Sequence, residues 1–79
     1  MKKVGCKTDN GIGSNIKLAR KYRGIAQNRL GDLLGVTYQQ IQKYENGKSR
    51  ISAESLYRIS KELNFPLEFF FMRKGVENE

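Results

Sequence analysis

The feature that most constrains the fold is the stretch of residues 27–46, in which two short amphipathic segments are joined at a glycine, Gly35. Glycine readily adopts the left-handed conformation that ends a helix. A connection this short between two helices makes the second one leave at a steep angle. The stretch therefore predicts two crossed helices, with the outer face of the second projecting. The apolar residues at helical spacing are Leu30, Leu33 and Leu34 in the first segment, and Ile41 and Tyr44 in the second.

Clear entry signals mark the start of the second of these helices. Thr37 and Gln40 have the spacing of a capping box, in which each side chain satisfies the other residue's unpaired backbone N–H. Val36 and Ile41 occupy the two positions of a hydrophobic staple. Gly31 lies inside the preceding helix, where glycine costs about 1 kcal/mol relative to alanine. We interpret it as a point where another helix backbone approaches closely.

Three further helices are predicted around this pair. The first carries an apolar face from Ile12 to Ala19, with Asp9 or Asn10 as its N-cap and Gly24 after its end. The fourth helix has Ser52 as its N-cap, and Ile51 and Leu56 occupy the two positions of a hydrophobic staple. Asn64, which tolerates the left-handed conformation, ends it. Pro66 opens a short fifth helix over residues 67–72. No segment has the pattern of a strand, so the sequence predicts an all-α, compact five-helix bundle.

The length of 79 residues allows one domain. We expect residues 1–11 to be a flexible basic arm, residues 12–72 the folded domain, and residues 73–79 a short polar tail. No apolar run approaches the roughly 20 residues that span a bilayer. The single cysteine, Cys6, suits a reducing compartment, so we expect a cytoplasmic protein with no membrane association. A redox role for Cys6 stays open.

Charge is distributed unevenly along the chain. The net charge is +7, and residues 1–50 hold eleven Lys and Arg against three acids, whereas residues 51–79 hold four against five. A basic half beside a nearly neutral half favours one face for a polyanion. The alternative at this point is that the cations only keep the surface soluble.

The outward face of the third helix has a distinctive composition. On a wheel of 100° per residue, Gln39 points away from the apolar side, with Gln42 and Lys43 beside it and Tyr38 at the leading end. The face has two amides, an ammonium and a phenol, but no acid. Glutamine pairs with adenine and lysine donates to guanine in the major groove. A merely solvated helix more often mixes Glu with Lys.

One extended motif joins these features, namely Gln27-x-x-Leu30-Gly31-x-x-Leu34-Gly35-Val36-Thr37-x-x-x-Ile41-x-x-Tyr44-Glu45-Asn46-Gly47. It resembles the Xre or Cro/cI-type helix-turn-helix of phage repressors and small bacterial regulators. The resemblance covers residues 12–71 approximately. It implies a lambda-repressor-like DNA-binding domain with the helix-turn-helix at helices 2 and 3, acting as a sequence-specific regulator on double-stranded DNA.

The resemblance also implies roles for matching positions. Arg20 and Glu45 correspond to a structural ion pair that ties the first helix to the third. Gln27 corresponds to a phosphate-contacting glutamine at a helix N-terminus. Phosphate contacts are also implied for Asn46, Lys48 and Arg50. Base contacts are implied for Tyr38, Gln39, Gln42 and Lys43.

The chain departs from the family pattern at one position. Ala26 stands where the family usually has Ser or Thr as the N-cap of the second helix. Loss of that cap costs on the order of 1 kcal/mol. We expect it to fray the start of the helix and to loosen the contact of Gln27 with phosphate.

Other classes of function fit the sequence less well. There is no histidine, so neither an enzyme's general base nor a zinc site is expected, and no cofactor or small-molecule effector is indicated. Gly11-x-Gly13 is too sparse for a phosphate-binding loop, and we interpret it as flexibility at a helix start. The rival hypothesis is an interaction module, such as an antitoxin that holds a toxin. Phage repressor, restriction–modification controller and stand-alone regulator stay open, as do the target sequence and activation versus repression.

The fifth helix is expected to form a dimer interface. Phe69, Phe70, Phe71 and Met72 are consecutive large apolar residues, and a helix turns only about half of such a run onto its own core. The remainder forms an apolar patch of the kind that marks interfaces. A two-fold homodimer also suits a pseudo-palindromic site, with recognition helices about 34 Å apart. The alternative is that all four residues cap the core of a monomer.

Overall fold

The computed structural model describes the backbone of residues 4–72 and the side chains of residues 11–72. The start of the expected arm, the side chain of Cys6 and the expected tail at residues 73–79 lie outside these residues. Within them the chain consists of helices and short connections, which confirms the all-α class. No helix in this part of the chain is long and apolar enough to cross a membrane. The elements are α1 (Val4–Tyr22), α2 (Gln27–Leu34), α3 (Tyr38–Glu45), α4 (Ala53–Leu63) and a 3₁₀ helix (Leu67–Phe71).

The first helix begins earlier than its sequence signals predict. Asp9 and Asn10 lie inside α1, so the expectation that one of them is its N-cap is wrong. An N-cap residue needs a non-helical backbone, and here the helical conformation already extends from Val4. The other end agrees with the prediction, since α1 ends at Tyr22 and Gly24 has a φ of 72°.

The residues predicted to cap the later helices are confirmed, and of the Thr37–Gln40 capping box the structure shows the bond that Thr37 accepts. Gly35 closes α2 in the left-handed conformation, with a φ of 78°. The Thr37 hydroxyl accepts a hydrogen bond from the backbone N–H of Gln40 at 3.1 Å, at the start of α3. Ser52 caps α4 in the same way, and Asn64 closes it with a φ of 57°. These local interactions fix where α3 starts and therefore which of its residues face outward.

The hydrophobic core receives side chains from all four α-helices and from the 3₁₀ helix. α1 packs against α3, α4 and the 3₁₀ helix, while α2 packs against α3 and α4. Each fully buried large apolar side chain contributes roughly 1.5–3 kcal/mol. The buried apolar residues are Ile16, Ala19, Leu30, Leu34, Ile41, Leu56, Ile59, Leu63 and Phe70.

The expected short fifth helix is present after Pro66, as a 3₁₀ helix of five residues. Tight winding is usual in segments this short. A buried asparagine on α1 holds it in place: Asn15 Nδ2 donates to the carbonyl oxygens of Phe69, Phe70 and Met72. The C-terminal end of the domain is therefore attached to α1 by a side-chain amide as well as by apolar packing.

The aromatic run, which consists of the three phenylalanines 69–71 and the adjoining Met72, divides between core and surface. Phe70 is 0% exposed in the core, so the expectation that it lies at a subunit interface is wrong. Phe69 is half-buried, with its ring centroid 4.8 Å from that of Phe65. Phe71 and Met72 are 51% and 62% exposed. Of the four residues expected at an interface, the last two are the ones that remain accessible.

Two glycines permit close approach of backbones. A Cβ atom on Gly31 would lie 2.6 Å from the carbonyl oxygen of Val36. The backbone that approaches Gly31 is thus the turn between α2 and α3. The expectation that another helix approaches there is wrong. Gly13 is not a flexible helix start either, because a Cβ atom there would collide with the carbonyl oxygens of Tyr44 and Glu45.

We expect Gly31→Ala to lower the free energy of unfolding by about 1–2 kcal/mol in net, because displacing backbone for the new methyl group costs about 2–3 kcal/mol. The cost outweighs the gain of about 1 kcal/mol in helix propensity. Urea unfolding followed by circular dichroism measures it. Asp32→Ala, at the neighbouring exposed position, is the matched control and should stay within about 0.5 kcal/mol of the parent. Equal stability of the Gly31 variant and the parent would contradict the close-approach argument.

Candidate nucleic-acid interface

The outward face of α3 is arranged as its sequence predicts. Ile41 and Glu45 turn inward and are buried, and Tyr44 is half-buried. The opposite face is exposed along both turns of the helix and carries no acid. The exposed residues on it are Tyr38, Gln39, Gln42 and Lys43.

A buried ion pair fixes α3 against α1. Arg20 Nε donates to Glu45 Oε2 at 2.6 Å, and Arg20 Nη2 donates to Glu45 Oε1 at 3.2 Å. The two side chains are only 9% and 4% exposed. Arg20 Nη1 also donates to the carbonyl oxygen of Ile25 at 2.8 Å. The pair implied by the family resemblance is therefore present, and its guanidinium also reaches the connection between α1 and α2.

A third side chain, that of Gln27, bonds to this ion pair, and this contact could not be predicted from the sequence. Gln27 Nε2 donates to Glu45 Oε1 at 3.0 Å, linking the first residue of α2 to the last residue of α3. Gln27 is half-buried and lines a shallow notch together with Ala26, Asn28 and Tyr38. The one sequence signal for this contact is the position of Glu45 on the buried side of α3, where its carboxylate can accept hydrogen bonds from more than one side chain.

The start of α2 lacks a side-chain cap. Ala26 has the extended backbone of an N-cap residue, with φ −75° and ψ 160°, but its methyl group cannot accept a hydrogen bond. The helix nevertheless begins at Gln27. The bond from Gln27 to Glu45 therefore supports an end of α2 that its own cap leaves weak.

The loop after α3 presents the remaining predicted phosphate contacts. Asn46 Oδ1 accepts a hydrogen bond from the backbone N–H of Lys48 at 3.0 Å, which tightens the turn and leaves the Asn46 amide nitrogen as that side chain's donor. The backbone N–H of Lys48 also bonds to the carbonyl oxygen of Lys43 at 2.9 Å. Lys48 and Arg50 are exposed. The loop thus carries cations directly beyond the end of α3.

One cation of the basic half has a structural role that the sequence does not show. Arg23 Nε and Nη2 donate to the carbonyl oxygens of Leu63 and Asn64 at 2.7 and 2.9 Å, at the end of α4. Its guanidinium lies 4.7 Å from the centroid of the Phe65 ring. A cation is favourable at a helix C-terminus, so Arg23 stabilises the fold.

The chain matches a known protein family over most of its length. A family model described as Helix-turn-helix (HTH_3) matches residues 16–70. An HTH-type transcriptional regulator of Sinorhizobium medicae is 52% identical over 60 residues, which are 76% of this chain and 43% of that protein. The chain thus spans less than half the length of this curated relative.

Solved structures share the fold. The restriction–modification controller protein C.AhdI from Aeromonas hydrophila has a TM-score of 0.73 and 19% identity, covering 78% of this chain and 94% of that one. Hydroxypropylphosphonic acid epoxidase from S. wedmorenis has a TM-score of 0.79 and 22% identity, covering 85% of this chain and 36% of the enzyme. The fold therefore occurs both in a controller protein and within a larger enzyme.

The ion pair leads to a prediction about stability. Arg20→Met or Glu45→Met should each lower the free energy of unfolding by about 3–5 kcal/mol, because each leaves the other charge buried without its partner. The double substitution should cost far less than the sum of the two. A double-mutant cycle by urea unfolding measures the coupling; simple additivity of the two losses would show that the side chains do not interact.

Proposed function

The chain belongs to the helix-turn-helix family of Xre and Cro/cI-type transcriptional regulators, and on this premise we propose that it binds double-stranded DNA sequence-specifically, with α3 in the major groove. The observation that carries the proposal is the exposed, acid-free face of α3. Its amides suit adenine edges and its ammonium suits guanine. Tyr38, Gln39, Gln42 and Lys43 are the proposed base contacts.

The residues around α3 support a separate set of contacts to the DNA backbone. Lys48 and Arg50 are exposed just beyond α3, where phosphates flank a helix lying in the groove. Asn46 and Gln27 add amide donors at the two ends of the helix-turn-helix. Such contacts position the protein on the duplex but do not read its sequence.

A binding role fits the chain better than a catalytic one. The sequence has no histidine to act as a general base near neutral pH. In the part of the chain with described side chains, no group of three or more cysteines and acids lies close enough to hold a metal ion. The similar epoxidase shares only the fold, over about a third of its length.

The exposed part of the aromatic run supports homodimer formation. Phe71 and Met72 form adjoining apolar surface at the C-terminal end of the domain, on the 3₁₀ helix and the residue after it. Exposed apolar patches mark interfaces in soluble proteins. A two-fold dimer formed there would bind a pseudo-palindromic site through two copies of α3.

Selection of binding sites from random duplex DNA tests sequence-specific binding directly. With the selected site, Gln39→Ala should reduce specific affinity by about 5- to 150-fold while leaving affinity for random DNA and its salt dependence nearly unchanged. Lys48→Ala should weaken binding to all DNA and lower the slope of log affinity against log salt by about one unit. Lys43→Ala should show both effects, because its ammonium can reach a guanine or a phosphate.

Two matched controls accompany these variants. Gln40→Ala removes the same amide from a half-buried position off the exposed face of α3. Lys61→Ala removes the same charge from α4, where its ammonium lies 5.5 Å from the centroid of the Tyr57 ring. Gln40→Ala should leave the ratio of specific to random affinity unchanged, and Lys61→Ala should leave both affinities and the salt slope nearly unchanged. If Gln39→Ala preserved that ratio while Lys48→Ala abolished it, the recognition face would lie on another side of α3.

Sedimentation at micromolar concentration tests the dimer. The parent should sediment as a dimer, and Phe71→Glu or Met72→Glu as a monomer with little loss of stability, since both side chains are exposed. Tyr57→Glu places the same charge at an exposed aromatic residue of α4 and should leave the dimer intact. A parent protein that is monomeric at this concentration would rule out the proposed interface.

A further inference from the structure

The carboxylate of Glu45 accepts hydrogen bonds from two different helices. Arg20 occupies both of its oxygens, at 2.6 Å from Oε2 and 3.2 Å from Oε1. Gln27 Nε2 reaches Oε1 as well, at 3.0 Å. Glu45 itself is buried. A single acid at the end of α3 therefore holds a charged partner from α1 and a neutral one from the start of α2.

The chemistry of this contact fixes which way the Gln27 amide faces. An ionised carboxylate can only accept hydrogen bonds, so the NH2 group of Gln27 and not its carbonyl must point toward it. The NH2 group has two hydrogens, and one carboxylate oxygen takes one of them. The second N–H is left for another acceptor. Gln27 lines the open notch between the starts of α2 and α3, beside Asn28 and Tyr38.

We propose that Glu45 is a positioning residue for DNA binding that acts through Gln27. Its carboxylate orients the amide so that the second N–H of Gln27 donates to a phosphate oxygen seated in the notch. The inference rests on the proposed DNA-binding function and adds to it a residue that does not itself touch DNA.

The electrostatics of the group explain how an acid can serve this purpose so close to a polyanion. An unpaired carboxylate near the notch would repel phosphate. Arg20 neutralises it with two charge-assisted hydrogen bonds in a buried setting. An apolar pair at positions 20 and 45 could hold α1 against α3, but it would leave the Gln27 amide without an acceptor and free to rotate.

The test compares the cost of losing Gln27 in two backgrounds, using the full chain and the duplex selected as above. In the parent, Gln27→Ala should weaken binding about tenfold, as expected for a hydrogen bond to a charged group. In an Arg20→Met, Glu45→Met background, the same change should weaken binding less than about twofold. Gln39→Ala serves as the control and should cost the same factor in both backgrounds.

Three results would overturn the proposal. An equal tenfold loss from Gln27→Ala in both backgrounds would show that the carboxylate does not orient the amide. Loss of the Gln39 effect in the doubly substituted background would show that the ion pair acts on α3 as a whole. If the parent itself selects no DNA sequence and binds none at low salt, the proposed function fails first, before any variant is made.

A measurement on the unaltered protein keeps the test decisive if the doubly substituted chain does not fold. The two side-chain amide protons of Gln27 are identified in the NMR spectrum by their loss in Gln27→Ala. One should be shifted by the carboxylate in the free protein, and the other should shift when the selected duplex is added. If the added duplex moved neither proton, the proposal would be wrong.

Discussion

The arrangement of the domain depends on the ion pair between Arg20 and Glu45. α3 has eight residues, which is too short to be stable as an isolated helix in water. Its position must come from tertiary contacts, which include the core side chain Ile41 and the buried carboxylate at its end. The same guanidinium bonds to the carbonyl oxygen of Ile25. One side chain of α1 thus sets both the turn into α2 and the placement of α3.

Much of the fold could be predicted from sequence because its signals are local. Thr37 and Ser52 cap helices within three residues of themselves, and Gly35 and Asn64 end helices through their own backbone conformation. Such signals need no knowledge of the rest of the chain. The outward face of α3 follows from the same starting point, because once its first residue is fixed the helical repeat determines the rest.

The parts that could not be predicted depend on contacts between distant residues. Asn15 bonds to carbonyl groups 54 to 57 positions away, and Arg23 bonds to carbonyl groups 40 and 41 positions away. No local pattern shows that an asparagine or an arginine will bond to distant backbone. The division of the aromatic run depends on the same kind of contact, since Asn15 bonds to the carbonyl oxygen of Phe70 in the 3₁₀ helix, and the Phe70 ring lies in the core. At the first helix the local signal misleads, because Asp9 and Asn10 favour an N-cap position but lie inside α1.

The amide of Asn15 has a further consequence for the geometry of any assembly. Asn15 and Arg20 lie on one helix, separated by roughly 7.5 Å along its axis. The first holds the end of the described chain at Met72, and the second holds α3 through Glu45. The angle between α3 and a surface joined at Met72 is therefore set within a single protomer, because both are attached to the same helix, α1. In two protomers joined symmetrically at that edge, each α3 would keep the same place relative to the joint, so the geometry of the joint alone would set the spacing of the two copies.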